Sequence, residues 1–123
     1  MTLAAALVLA GRIILGLFFI VAGFRNFMRI SERVAAETNY GWKLPPIITG
    51  LGFATQLLGG FSVAFGLFTT FGAGLLIIFL ILATALFHNF LLFKGDARLP
   101  HLYFTLVNCA LVGYCLMVMG TAS

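Results

Sequence analysis

The sequence predicts an all-α integral membrane protein: a four-helix bundle with a short amphipathic helix in the interface between the first two spans. Three observations carry this. Of the 123 residues, 63% are hydrophobic and only 8% are charged, against about a quarter charged in a soluble domain. The mean hydropathy is +1.17. The apolar residues also fall into four runs of about 20, the length that crosses a ~30 Å hydrocarbon core. The length suits one membrane domain over residues 1–123 and leaves no room for a second.

The first span is predicted over residues 3–24. Ala5, Val8, Arg12, Gly16, Phe19 and Gly23 recur at three- and four-residue spacing and share one face. That face is assigned inward, because small residues let helices approach closely. Arg12 is the costly residue, at roughly 2.5–3.5 kcal/mol near a bilayer centre. Counting residues places it near mid-membrane. The run lacks a basic region ahead of it, so it reads as a mature helix rather than a signal peptide.

Residues 25–40 read as the interfacial segment. Phe24, Phe27, Met28, Ser31, Val34 and Ala35 lie on one side, with Arg25, Asn26, Arg29, Glu32, Arg33 and Glu37 on the other. Arg25, Arg29, Arg33, Tyr40, Trp42 and Lys43 are the expected headgroup-level anchors. Pro45 and Pro46 close the segment, and Pro46 suits the first position of a new helix.

The second span is predicted over 47–67, with Thr49, Gly52, Gln56, Gly59, Gly60, Val63 and Gly66 as its small and polar stripe. An uncharged turn, Phe68-Thr69-Thr70, leads to the third span over 71–93, where Gly74, Ile77, Ile81, Thr84 and His88 align. The fourth span, 101–119, aligns His101, Thr105, Asn108, Val112 and Cys115. Cys109 and Cys115 stand about 9 Å apart along that helix, beyond the ~7 Å limit for a disulfide, and read as small packing residues.

The net charge of +4 lies almost wholly in two connections. It reads as an orientation signal and not as a nucleic-acid footprint. The positive-inside rule places loops 25–46 and 94–100 in the cytoplasm and both termini outside.

Four runs in order, GRIILGLFFIVAGFRNF, QLLGGFSVAFGLFTT, LATALFHNF and YFTLVNCALVG, resemble the DoxX family of small bacterial and archaeal membrane proteins. The matching positions are Arg12, Gly23, Gly66, Thr69, His88, Asn108 and Gly113, and the resemblance spans residues 11–113. There are departures. Gln56 stands at the family's usual acidic position, Thr70 replaces a basic residue after the turn, and Arg25 or Asn26 stands where Lys is common. The resemblance implies a four-helix fold in a bacterial or archaeal inner membrane. It also implies an association with redox chemistry, the founding member being linked to thiosulfate:quinone oxidoreduction.

The candidate cluster, for ligand binding or for packing, is Arg12, Gln56, Thr84, His88 and Asn108. Arg12 has three readings: a structural one, bonded to Gln56, Asn108 and carbonyls; a binding one, offering five donors to an anion or carbonyl; and snorkelling to the surface. The predicted spans contain no Asp or Glu, so Arg12 lacks an internal counter-ion. Gln56 and Asn108 are also ordinary helix-to-helix glue. His88 and His101 could ligate haem axially, a minor expectation beside a backbone or headgroup contact. No metal cluster, catalytic carboxylate pair, nucleophilic triad or phosphate loop is present, which weighs against a free-standing enzyme. No cofactor is required, and a quinone is compatible. The expected surroundings are the lipid bilayer and other membrane subunits or copies of this chain. The function expected is a redox-associated subunit or quinone- or lipid-binding component, with a non-catalytic accessory or scaffold subunit as the alternative.

Overall fold

The computed structural model describes residues 1–122. Helix α1 (Leu3–Met28) is capped by Thr2, whose hydroxyl accepts from the Ala5 N–H at 3.0 Å. It runs past residue 24 because Arg25 and Met28 are good helix formers. The break comes at Arg29, which starts the six-residue α2 (Ile30–Ala35). The expected interfacial helix is therefore divided into the last turn of α1, then α2, then a loop closed by an isolated bridge between Glu37 and Lys43. No other β pairing occurs among the described residues.

Helix α3 (Pro46–Phe65) begins with Pro46 in its first turn and ends at Gly66, φ +72°. Phe68, φ +51°, sits just before α4 (Thr69–Phe87). Two left-handed residues thus make the tight α3–α4 turn, and the Ser62 hydroxyl lies 2.5 Å from the Leu67 carbonyl and 3.0 Å from that of Phe68. Helix α4 stops earlier than residue 93. The Asn89 side chain accepts from the Leu91 N–H at 3.2 Å and caps a 3-10 turn, Phe90–Leu92, in place of a continued helix. A second 3-10 turn, Gly95–Ala97, leads into α5 (Arg98–Ala122). That helix starts before residue 101 because Pro100 falls in its first turn, where backbone N–H groups have no helical partner to lose.

Helix α3 lies between α1 and α4, and α5 packs on α4 and touches α1 only briefly. All four long helices contribute to one core: Leu15 and Phe19, Val63, Ala73, Leu76 and Leu80, and Cys115 and Val118. The α1–α3 contact is close. A Cβ on Gly16 would lie 2.6 Å from the Ala64 Cβ and 2.7 Å from the Gly60 carbonyl oxygen. The outward faces are apolar, with Ile14, Val21, Leu58, Ile78, Leu82, Leu106 and Met117 all exposed. Four helices are long and apolar enough to cross a membrane.

The helices are not level. Gly16 meets Gly60 and Ala64, Gly23 meets Leu57, and Asn26 bonds Gln56. This register carries the first nine residues of α1, roughly 13 Å at 1.5 Å per residue, past the α3–α4 turn. The other end carries the basic loops. There the residue 37–43 loop is bolted to α4: the Asn39 N–H donates to the Leu86 carbonyl at 2.7 Å and the Tyr40 hydroxyl to the Ala85 carbonyl at 3.0 Å.

Candidate functional site

The five residues singled out in the sequence fall into three places. Arg12 lies at the turn end, where its guanidinium packs against Gly66. A Cβ at Gly66 would stand 2.9–3.1 Å from three guanidinium atoms. The Arg12 Nε is buried and has no hydrogen-bond partner, and no ion pair forms among the described residues. The nearest compensation is the C-terminus of α3, whose aligned peptides present a partial negative charge. Arg12 therefore does not bond Gln56 or Asn108, and it sits at the level of the turn instead of among the polar groups of the other helices.

Gln56 is 4% exposed, and its Oε1 accepts from Asn26 Nδ2 at 3.0 Å. It stitches α1 to α3. Asn26, assigned from sequence to the polar face of the interfacial segment, is half-buried and serves as this partner. No periodicity signal marked it, because the pairing depends on the α1–α3 register.

Thr84, His88 and Asn108 do come together, on facing sides of α4 and α5. Asn108 Nδ2 donates to the Thr84 Oγ1 at 2.8 Å. That leaves the Thr84 O–H as a donor, and a second N–H and the carbonyl of Asn108 without another bond in this pair. They line a groove of about 450 Å³, within the range of small-ligand sites. Leu80, Ile81 and Val112 form its apolar wall, with Thr84, His88, Asn89, Thr105 and Asn108 toward one end. Its lips, Ile81, Ala85 and Cys109, are exposed on the outer surface of the bundle. An apolar guest moving in the bilayer can enter sideways.

The polar end of the groove is braced from behind. The Asn89 N–H donates to Asn39 Oδ1 at 2.9 Å, and Asn89 Nδ2 to the Tyr40 hydroxyl at 3.1 Å. Tyr40 and Asn39 thus position the end of α4, a role invisible in sequence because 49 residues separate Tyr40 from Asn89. Of the expected anchors, Arg25, Arg29, Arg33, Trp42 and Lys43 are all exposed at this same end.

A family model described as DoxX matches residues 7–89. The match includes Arg12, Gln56, Thr84 and His88 and ends before α5. Neither the curated proteins nor the solved structures compared gave a match.

Proposed function

The chain belongs to the DoxX family of membrane proteins, and on that premise we propose that it is a redox-associated component of a bacterial or archaeal inner membrane, binding a quinone-like or lipid head group in the α4–α5 groove. The observation that carries the reading is the groove itself: apolar walls open to the bilayer, with Thr84 and Asn108 offering donors at one end. A quinone carbonyl or a lipid ester needs such donors, and its apolar tail needs the lateral opening. In this reading loops 25–46 and 94–100 face the cytoplasm and both termini face out, because the basic residues share one end.

The test is binding of a short-chain quinone to the full chain in lipid nanodiscs. Thr84→Val and Asn108→Leu are expected to weaken binding, while Arg12→Leu leaves it unchanged. Equal binding in all three variants and the unsubstituted chain overturns the groove reading.

A second reading has its own observation, the buried and unpartnered Nε of Arg12. An accessory subunit would place a carboxylate or carbonyl of a larger complex beside that guanidinium. Gentle purification tests this: a stoichiometric partner retained by the native chain and lost in Arg12→Leu supports it, and a partner retained equally by both refutes it.

A further inference from the structure

We propose that His88 and His101 share a proton in a hydrogen bond that latches the start of α5 to the end of α4, and that a second proton opens the latch. The inference does not depend on what the groove holds. The two Nδ1 atoms stand 3.4 Å apart and the ring centroids 5.5 Å. The centroid distance exceeds the nitrogen separation by about two ring radii, so the nitrogens meet head-on along the line between the rings. A neutral imidazole carries one N–H and one bare nitrogen. The bond therefore needs opposite tautomers, Nδ1–H on one ring and a bare Nδ1 on the other. At this length the neutral bond is a weak one. One added proton keeps it and makes it charge-assisted. Two leave both Nδ1 atoms as donors, with no acceptor between them and like charges face to face.

The surroundings decide what moves. Asn89 is fixed to Asn39 and Tyr40 and stays with α4. Beyond it, the chain from Phe90 to His101 is tied to itself. The Arg98 Nε donates to the Phe90 carbonyl at 3.1 Å, its guanidinium lies over the Phe90 ring, and Phe93 stacks on His101 with centroids 4.0 Å apart. The Thr105 hydroxyl lies 2.7 Å from the His88 carbonyl and 2.8 Å from the His101 carbonyl. With one proton to donate, it can give up His88 and keep a bond within its own helix. One turn further along α4, the Thr84–Asn108 bond contains no titratable group and holds as the fulcrum. His88 lines the groove, so parting the rings opens the groove's loop end.

No other group on the neighbouring elements competes for the pair. The Tyr40 hydroxyl is taken by the Ala85 carbonyl and Asn89, and Arg98 by Phe90. Glu37 and Lys43 in the loop and Lys94 and Asp96 in the turn are exposed. Both histidines are half-buried, which leaves protons a path to them.

The test uses the full chain in nanodiscs. In ¹⁵N-histidine-labelled protein at about pH 8, a coupling between the two Nδ1 nuclei should report the shared proton, and it should vanish on acidification to about pH 4, across the range in which imidazoles titrate. Nitroxides at Leu82→Cys and Leu99→Cys, with Cys109→Ser and Cys115→Ala to leave no other thiol, should change their separation over that range by about 2 Å or more. His101→Asn sets an uncharged amide where Nδ1 stood. A charged His88 then still has an acceptor, and the separation should stay constant. Absence of the coupling before acidification overturns the shared proton. A coupling lost without a change in separation overturns the latch. A change that persists in His101→Asn comes from other groups and overturns the pair as its switch.

Discussion

Arg12 and Gly66 illustrate what single residues decide here. The guanidinium occupies the space that a side chain at Gly66 would take, and Gly66 is left-handed as well. Gly66→Ala should therefore destabilise twice, by backbone strain of about 1–2 kcal/mol and by displacing Arg12. The melting temperature in detergent checks this, and Arg12→Leu in the same chain should recover the steric part. A mutant cycle without coupling would separate the two residues. Phe68 offers the opposite case. It is 87% exposed and left-handed at φ +51°, so little packing within the chain offsets its strain. Phe68→Gly should stabilise by about 0.5–1 kcal/mol, the relief of strain less the added chain entropy. An unchanged or lower melting temperature would show that the turn holds Phe68 without cost.

Among the elements, α1 is attached to the bundle through its contact with α3. The close approach at Gly16 and the Asn26–Gln56 bond lie about three helical turns apart along that contact. Gly16→Val should force the helices apart and cost more than about 2 kcal/mol, since backbone atoms block the new side chain. Gln56→Leu should cost less, about 0.6 kcal/mol, the average for a hydrogen bond between membrane helices. Reversible unfolding in bicelles ranks the two, and a larger loss at Gln56 would reverse this account of how α1 is held. The α4–α5 pair is joined differently, through Thr84 and Asn108, the Thr105 hydroxyl and the stack of His88 on Phe104. The groove lies between these two helices, so its polar end depends on that pairing, while Leu80, which belongs to the core, and Val112, which packs against it, form its apolar wall.

For the whole molecule, every charged side chain except Arg12 gathers at the loop end, and the packed core lies toward the other. Arg25, Arg29, Arg33 and Lys43 are exposed there, and none forms an ion pair among the described residues. They are therefore free to meet anionic head groups, each worth about 1 kcal/mol near a charged surface. In a background without native cysteines, Arg29→Cys should be labelled from the cytoplasm and Thr2→Cys from outside. Labelling of both from one side would refute an arrangement with basic loops and termini on opposite faces.

What the chain's sequence determined by itself is the class of object: four spans, their approximate limits, a basic end, and a family resemblance that the match over residues 7–89 bears out. These are legible because hydropathy and charge are local sums over consecutive residues, and lipid enforces helix wherever the run is apolar. The Thr84, His88 and Asn108 grouping was partly legible too, since helical spacing puts Thr84 and His88 on one face. Tertiary structure alone decided the rest. The stagger of α1 took Arg12 away from Gln56 and Asn108 and set it against the α3 turn. The fold of the 37–43 loop brought Asn39 and Tyr40 to the end of α4. The turn after α4 brought His101 back to face His88. Each of these depends on register between helices, which is set by where small residues permit close approach, and that is a property of surfaces meeting and not of any one stretch of chain.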